Sequence, residues 1–347
     1  MSEPIYESIH IKNFGPLKDL KWDNLGGINL IVGENGSGKT FLLKALYATI
    51  KAIEEMRGEE IKPFIPLLLE KLYWTFEAKA KELVTQKQSE PLFFEASIQG
   101  SKVSYEIDSK DGGLTEKKKA RTKRPENNSI FLPTKEVISL MDIIRNARFE
   151  KVFGFDATYS DLREALAIPP KVGKNHAERS KARKKVEDII GGRVYFDEKK
   201  EKWFFKPNAK LENTHSIRLT SEGTKKLGVL DTLLGNRYLL KGSVIFIDEP
   251  ESALHPKAVD QFMEVLFHLA QDGMQIFIAS HSYFVIEKLH LIALGKNESG
   301  NKMSIPVLLH EKVQGKSQWR SEDLKEGMPK NSIIEESIAL FNEEMRP

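Results

Sequence analysis

Cysteine is absent from the 347 residues. That excludes a disulfide framework, a zinc–thiolate site and a cysteine nucleophile, and it fits a reducing compartment. Long apolar runs are missing too. No stretch approaches the ~18 residues of a membrane-spanning helix. The opening Met1-Ser2-Glu3-Pro4 lacks the basic-then-apolar pattern of a secretory signal. The expectation is a soluble, cytoplasmic protein that does not engage membranes. Nor does one sign of charge dominate. Lys and Arg number 53 against 50 Asp and Glu, a net charge of +3, so any nucleic-acid face has to come from local clustering.

What is present begins with Gly33-Glu34-Asn35-Gly36-Ser37-Gly38-Lys39-Thr40. An apolar strand, 28–32, precedes it. An amphipathic helix from Thr40 to about Ile53 follows, with Leu42, Leu43, Leu46, Ile50 and Ile53 on one face. Strand, glycine-rich loop and helix are the context that G-x-x-x-x-G-K-[ST] requires. The glycines let backbone N–H groups turn toward phosphate oxygens, and the helix N-terminus adds a favourable dipole. Lys39 can reach the β- and γ-phosphates, and Thr40 can ligate magnesium. ATP and Mg2+ are the expected ligands.

Ahead of the loop, residues 5–23 alternate as a β-hairpin, with Ile5, Ile9 and Ile11 on one side. Lys12 or Phe14 could touch a nucleotide base; packing on the core is the other reading of Phe14. After the first helix come a second, over about 67–83, and a hairpin over 92–107. Two basic runs follow. One holds Lys117, Lys118, Lys119, Arg121, Lys123 and Arg124; the other runs from Lys171 to Lys185. They read either as phosphate-backbone contacts or as solvated loops, and no stacking aromatics are interleaved with them. Between them, Ser129–Leu132 is a short buried-type strand that delivers Thr134-Lys135-Glu136 at its end. A third hairpin covers 193–206. A helix then opens at Ser221-Glu222-Gly223 and runs to about Leu240, with Ser221 suited to an N-cap.

The second half of the site is Ser243-Val244-Ile245-Phe246-Ile247-Asp248-Glu249-Pro250. An apolar strand of this kind belongs in a parallel sheet buried on both faces. Two carboxylates at its end need a reason, since unpaired buried charge is costly. With a P-loop present, Asp248 is expected to hold magnesium through water and Glu249 to deprotonate the attacking water. A helix from Pro256 to Gln271 and a buried strand over 274–279 lead to His281, placed to sense or polarise the γ-phosphate.

In order, Gly33–Thr40, Ser221-Glu222-Gly223, Ile247-Asp248-Glu249-Pro250 and His281 resemble the motifs of an ATP-binding-cassette (ABC) ATPase. The Ile11-Lys12-Asn13-Phe14-Gly15 hairpin resembles the start of SMC, RecF and OLD-type ATPases. The likeness is greatest to the compact OLD-like ATPases of bacterial defence systems of Septu, retron and PARIS type. It covers about 1–50 and 190–290 well and the middle loosely. It implies an α/β ABC-type head, a mixed-sheet core with an N-terminal antiparallel β-lobe, built from 1–50 and 190–347. The span 51–189 is then a helical and basic inserted region that contains a Q-loop-equivalent strand near 129–136.

The resemblance further implies head-to-tail dimers in which Ser221 and Gly223 of one subunit contact the γ-phosphate bound by the other. Departures are plain. The signature is Thr-Ser-Glu-Gly-Thr, no glutamine stands at a Q-loop, and His255 occupies the D-loop aspartate position. No heptad arm exists. OLD nucleases carry a Toprim domain, but only 66 residues follow His281, so no intrinsic nuclease is expected. Three functions follow: an ATP-gated dimer controlling a separate effector in anti-phage defence, an SMC/RecF-like ATPase acting directly on DNA in repair or recombination, or a non-hydrolysing scaffold.

Overall fold

The computed structural model describes residues 3–56, 63–85, 90–118, 127–150, 154–171, 177–209, 213–313 and 316–344. The chain opens with the expected hairpin, β1 (Tyr6–Phe14) and β2 (Leu17–Trp22), then enters β3 (Ile28–Val32), the P-loop and α1 (Lys39–Glu55). α2 (Phe64–Phe76) begins earlier than the apolar spacing suggests, because Pro63 caps it and Pro66 lies in its first turn, where no intrahelical N–H is needed. It also ends earlier. Glu77 turns left-handed at φ 51°, and a separate 3-10 turn covers Ala80–Leu83.

Next come β4 (Leu92–Ile98), β5 (Ser101–Ile107) and β6 (Leu114–Lys118), the last at the start of the first basic run. β7 (Ile130–Leu132) leads to α3 (Met141–Phe149), α4 (Ala157–Leu166) and α5 (Ala177–Ile190). α5 takes up much of the second basic run, which reads as a loop from its charge alone. The hairpin β8 (Gly192–Asp197) and β9 (Lys202–Pro207) adds the short β10 (His215–Ser216), and α6 (Glu222–Gly235) follows. The last third alternates: β11 (Val244–Asp248), α7 (Pro256–Gln271), β12 (Gln275–Ser280), α8 (Tyr283–Ala293), β13 (Pro306–Val313), β14 (Lys316–Asp323) and α9 (Ser332–Glu344). Ser332 fits a capping box by spacing, yet Asn331 is the acceptor, with its Oδ1 taking the Ile333 and Ile334 N–H groups.

Three sheets result. The central one has the order β14-β13-β3-β12-β11-β7 and is parallel except for the edge strand β14. Its inner strands β3, β11 and β12 are buried at every position and mostly apolar, because both faces are covered. Ile245 and Ile247 face a core that includes α6, α7 and α8. Val244 and Phe246 face a second core shared with α1 and the antiparallel sheet β2-β1-β4-β5-β6. The antiparallel lobe is fastened to the central sheet through polar pairs. Gln275, at the start of β12, accepts the Tyr6 N–H at 2.7 Å and donates to the Tyr6 carbonyl at 2.8 Å. The Tyr6 hydroxyl donates to the Leu46 carbonyl on α1.

The span 51–189 is woven into this framework: β4–β6 sit in the antiparallel sheet and β7 in the central one. Phe14 is buried against the rings of Phe41 and Phe76. It packs on the core and does not present a face to a base.

Candidate functional site

The parallel sheet delivers the chemically distinctive residues to one place. The P-loop follows β3, Thr134 follows β7, Glu249 follows β11 and His281 follows β12. All lie at carboxyl ends of strands, the edge at which open α/β sheets bind ligands.

Within the P-loop, Gly36 and Gly38 have φ of 76° and 100°, which side-chain-bearing residues rarely adopt. Gly33 is constrained by crowding: a Cβ there would stand 2.8 Å from His310 Cβ and 2.9 Å from Ser37 Oγ. Lys39 folds back and donates to the Gly33 and Glu34 carbonyls at 2.7 and 3.0 Å. Burial lowers its pKa, against the opposing pull of Glu249, Asp248 and Glu251. Asn35 stands exposed at the loop tip, and the Glu34 carboxylate pairs with Lys312 at 3.3 Å. Ser37 Oγ is buried without a partner among the described residues. A loop with an unanswered hydroxyl and a tethered cation fits an incoming polyanion.

Thr40 Oγ1 lies 2.9 and 3.0 Å from the two carboxylate oxygens of Asp248, and Thr134 Oγ1 donates to Oδ2 at 3.2 Å. Burial raises the Asp248 pKa, while the Thr40 hydrogen bond opposes the rise. A buried carboxylate ringed by hydroxyls is the donor set a hard divalent cation takes, so these residues fit Mg2+. Thr134 is the strand-end residue that reaches this point. Glu136 turns away, its carboxylate accepting the Ser139 N–H.

Glu249 has a left-handed backbone, φ 49°. Such strain costs about 1–3 kcal/mol and persists only where neighbours enforce it. Here its N–H donates to the Ala279 carbonyl, extending the β11–β12 ladder, and its own carbonyl accepts from Lys226 Nζ at 2.5 Å. The turn brings Oε1 to 3.4 Å from His281 Nδ1. Glu251 supports the histidine from below. Its Oε1 accepts from Ser280 Oγ at 2.8 Å and from the His281 N–H at 3.3 Å.

Ser221 caps α6, its Oγ accepting the Thr224 N–H at 3.2 Å, and it is exposed. Gly223 is buried. A Cβ there would meet the Ala253 carbonyl and Leu254 Cδ2 at 2.7 Å, so glycine lets α6 rest on the segment after Glu249. Among the described residues, neither hydrogen-bonds the P-loop of its own chain. His255 caps α7 by accepting the Lys257 N–H on Nδ1 at 3.2 Å, the acceptor role an aspartate fills equally well.

The basic runs divide differently. Lys117 pairs with Glu106, and residues 119–126 and 172–176 lie outside the described residues. On α5, Arg179 pairs with Asp272, Arg183 with Asp231, Lys181 with Glu178, Lys184 with Asp188 and Lys185 with Glu298.

A family model described as "AAA domain, putative AbiEii toxin, Type IV TA system" matches residues 28–287, which include every residue of this site. The chain belongs to this AAA-domain family. Its fold is that of SMC heads. It is similar to an SmcHead bound to the C-winged helix domain of ScpA, at 15% identity over 93% of this chain and 99% of that one, TM-score 0.53. It is also similar to the Smc head with an extended coiled coil bound to the C-terminal domain of ScpA derived from Pyrococcus furiosus, at 12% identity over 99% and 100%, TM-score 0.50. Two curated relatives match in part. The Old nuclease of Escherichia phage P2 is 30% identical over 104 residues, 30% of this chain and 17% of that protein. The "Uncharacterized protein MJECL10" of Methanocaldococcus jannaschii is 43% identical over 68 residues, 20% and 29% respectively. This chain therefore spans less than a third of either curated relative. Together these findings give a chain of this AAA-domain family the fold of SMC heads, a mixed α/β head with an antiparallel β-lobe. No helix among the described residues is long and apolar enough to cross a membrane.

Lys226 and Glu251 are the residues of this AAA-family site that sequence reasoning left without a role, whereas Thr134 lies at the end of the strand expected to stand for the Q-loop. For Lys226 the only signal is a lysine on the apolar side of an amphipathic helix. Burial pushes its pKa down from the ordinary 10.5 to about 8, although Glu251, Asp248 and Glu249 pull upward. Between pH 8 and 10.5 the unfolded chain keeps this proton while the folded one releases it. Stability therefore rises with pH in that window, and the penalty is fully present below it. Urea unfolding of wild type and Lys226→Met should show wild type gaining on the variant by about 2–3 kcal/mol from pH 7.5 to 10. A pH-independent difference would contradict this reading.

Proposed function

We propose that the protein binds and hydrolyses ATP with Mg2+, works as a nucleotide-gated dimer, and controls a separate effector protein, in the cytoplasm and in bacterial anti-phage defence. The observation that carries the hydrolytic part is the pairing of two arrangements at one sheet edge. Asp248 is gripped by Thr40 and Thr134, and Glu249 is turned by a strained backbone to His281.

In this reading the backbone N–H groups of Gly33–Thr40 cradle the phosphates, and Lys39 leaves its two carbonyls for the β- and γ-phosphates. Thr40 and Asp248 would hold Mg2+, which supplies charge neutralisation on the phosphates when bound. Thr134 orients the Asp248 carboxylate in the place of the missing Q-loop glutamine. Glu249 takes the proton of the attacking water. His281, held by Glu251, polarises the γ-phosphate side.

The dimer is supported by what flanks the site. Ser221 is exposed, and Leu219 beside it is 77% exposed. Just past His281, Tyr283 and Phe284 are also exposed large side chains. Apolar groups around a polar centre suit an interface that closes over nucleotide. The defence role rests on the toxin–antitoxin description of the family and the partial likeness to a phage Old nuclease. The SMC-head neighbours are bound to ScpA domains, which supports a partner protein. Direct action on DNA has less support, since the described cations of α5 are already paired within the chain.

Ser221→Arg tests the composite site. The variant should keep its fold by circular dichroism, lose ATP-dependent assembly and hydrolyse ATP at least tenfold more slowly. Assembly and turnover equal to wild type would remove Ser221 from the site.

A further inference from the structure

Away from the nucleotide site, α5, α7 and the segment after α8 meet around a second cluster of ionisable groups. Glu264 and His268 are four residues apart on α7 and so share a face. Glu298 lies in the segment after α8. One donor atom from each of the three lies within 4.8 Å of the others.

Each donor is also oriented from behind. His268 Nδ1 lies 3.0 Å from Glu178 Oε2 on α5. That contact favours the tautomer with the proton on Nδ1 and leaves Nε2 with a free lone pair. Lys288 holds Glu264 Oε1 at 2.8 Å, and Lys185 pairs with Glu298 Oε1. The remaining donors converge. His268 Nε2 is 3.8 Å from Glu298 Oε2. Glu264, only 3% exposed, has its Oε2 buried with no partner among the described residues. An unanswered carboxylate oxygen inside a protein costs more than an exposed one, and a cation answers it. A cleft lined by Asp260, Glu264, Lys288 and Glu298 gives solvent access.

We propose that Glu264, His268 and Glu298 form a site for a first-row divalent cation, Zn2+ foremost, that ties α7 to α5 and to the segment after α8. One imidazole with two carboxylates suits Zn2+, whereas Mg2+ and Ca2+ prefer all-oxygen sets. A tetrahedral ion with bonds of ~2.0–2.1 Å brings its donors to about 3.3 Å of one another. The Glu298 side chain, 58% exposed, is free to make that contraction. Lys185 and Lys288 offset part of the negative charge, so the cluster is tolerated without an ion. The staple would steady α7, which begins just after the Glu251–Leu254 segment under His281.

The test uses the full chain, stripped with chelator, without nucleotide. Calorimetric titration with Zn2+ should give one saturable equivalent and raise the melting midpoint, and Co2+ should give the absorption bands of a tetrahedral site. Glu298→Gln, a surface change, should keep the fold and weaken Zn2+ at least tenfold, as should His268→Gln. Asp248→Asn, at the other site, should leave the binding intact. No saturable Zn2+ site in wild type would overturn the proposal. So would Glu298→Gln and His268→Gln variants that bind like wild type, or an Asp248→Asn variant that alone loses the ion.

Discussion

Glu249→Gln is expected to bind Mg-ATP with affinity close to wild type and to hydrolyse it about 10²–10⁴-fold more slowly. The substitution removes one function. The amide is isosteric, the strained turn at Glu249 is enforced through its backbone by Ala279 and Lys226, and His281 keeps its support from Glu251. What disappears is the carboxylate that accepts the water proton. Single-turnover phosphate release, with nucleotide affinity measured separately, reads the two effects apart. A residual rate within about threefold of wild type, too small a loss for a general base, would take that role away from Glu249.

Lys39→Ala acts on binding. The side chain is expected to make charge-assisted hydrogen bonds to phosphate, each about 1.5–3 kcal/mol. ATP affinity should then fall by about 10²-fold or more. Stability without nucleotide should hold. Lys39 is a cation whose pKa burial already lowers, and its only hydrogen bonds among the described residues are to the Gly33 and Glu34 carbonyls. Calorimetry with ATP and a thermal melt without it check both halves. Retained affinity, or a variant that fails to fold, would contradict the assignment.

Much of this was legible in the sequence, for identifiable reasons. The central strands announce themselves because burial on both faces requires apolar residues throughout, as in 244–247. The P-loop reads from its glycines because two of them need positive φ and a third admits no Cβ. α7 reads from Pro256 at its first turn and Gly273 just beyond its end, at φ 89°. Its bounds match the expectation.

Other features depend on tertiary partners that no local pattern encodes. α5 looks like a charged loop until Asp272 and Asp231 are seen to answer Arg179 and Arg183. Phe14 has the position of a base contact, and packing against partners such as Phe41 and Phe76 fixes it in the core. Thr134 reaches Asp248 because β7 pairs with β11, Leu132 beside Ile247, a register set by the sheet and not by any motif. β14 is an edge strand of mixed polarity, Lys-Ser-Gln-Trp-Arg-Ser-Glu-Asp, whose strand character comes from pairing with β13. The signature serine has two compatible readings at once. It caps its own helix, and it stands exposed, as the proposed composite site requires.

The central claim is that ATP closes two copies of this head on each other. It is tested most directly by the light-scattering mass of the Glu249→Gln protein with and without Mg-ATP. The account predicts that the mass rises by at least one further copy on adding Mg-ATP and stays raised, since the nucleotide is not turned over. An unchanged mass under saturating, independently verified ATP binding would contradict it.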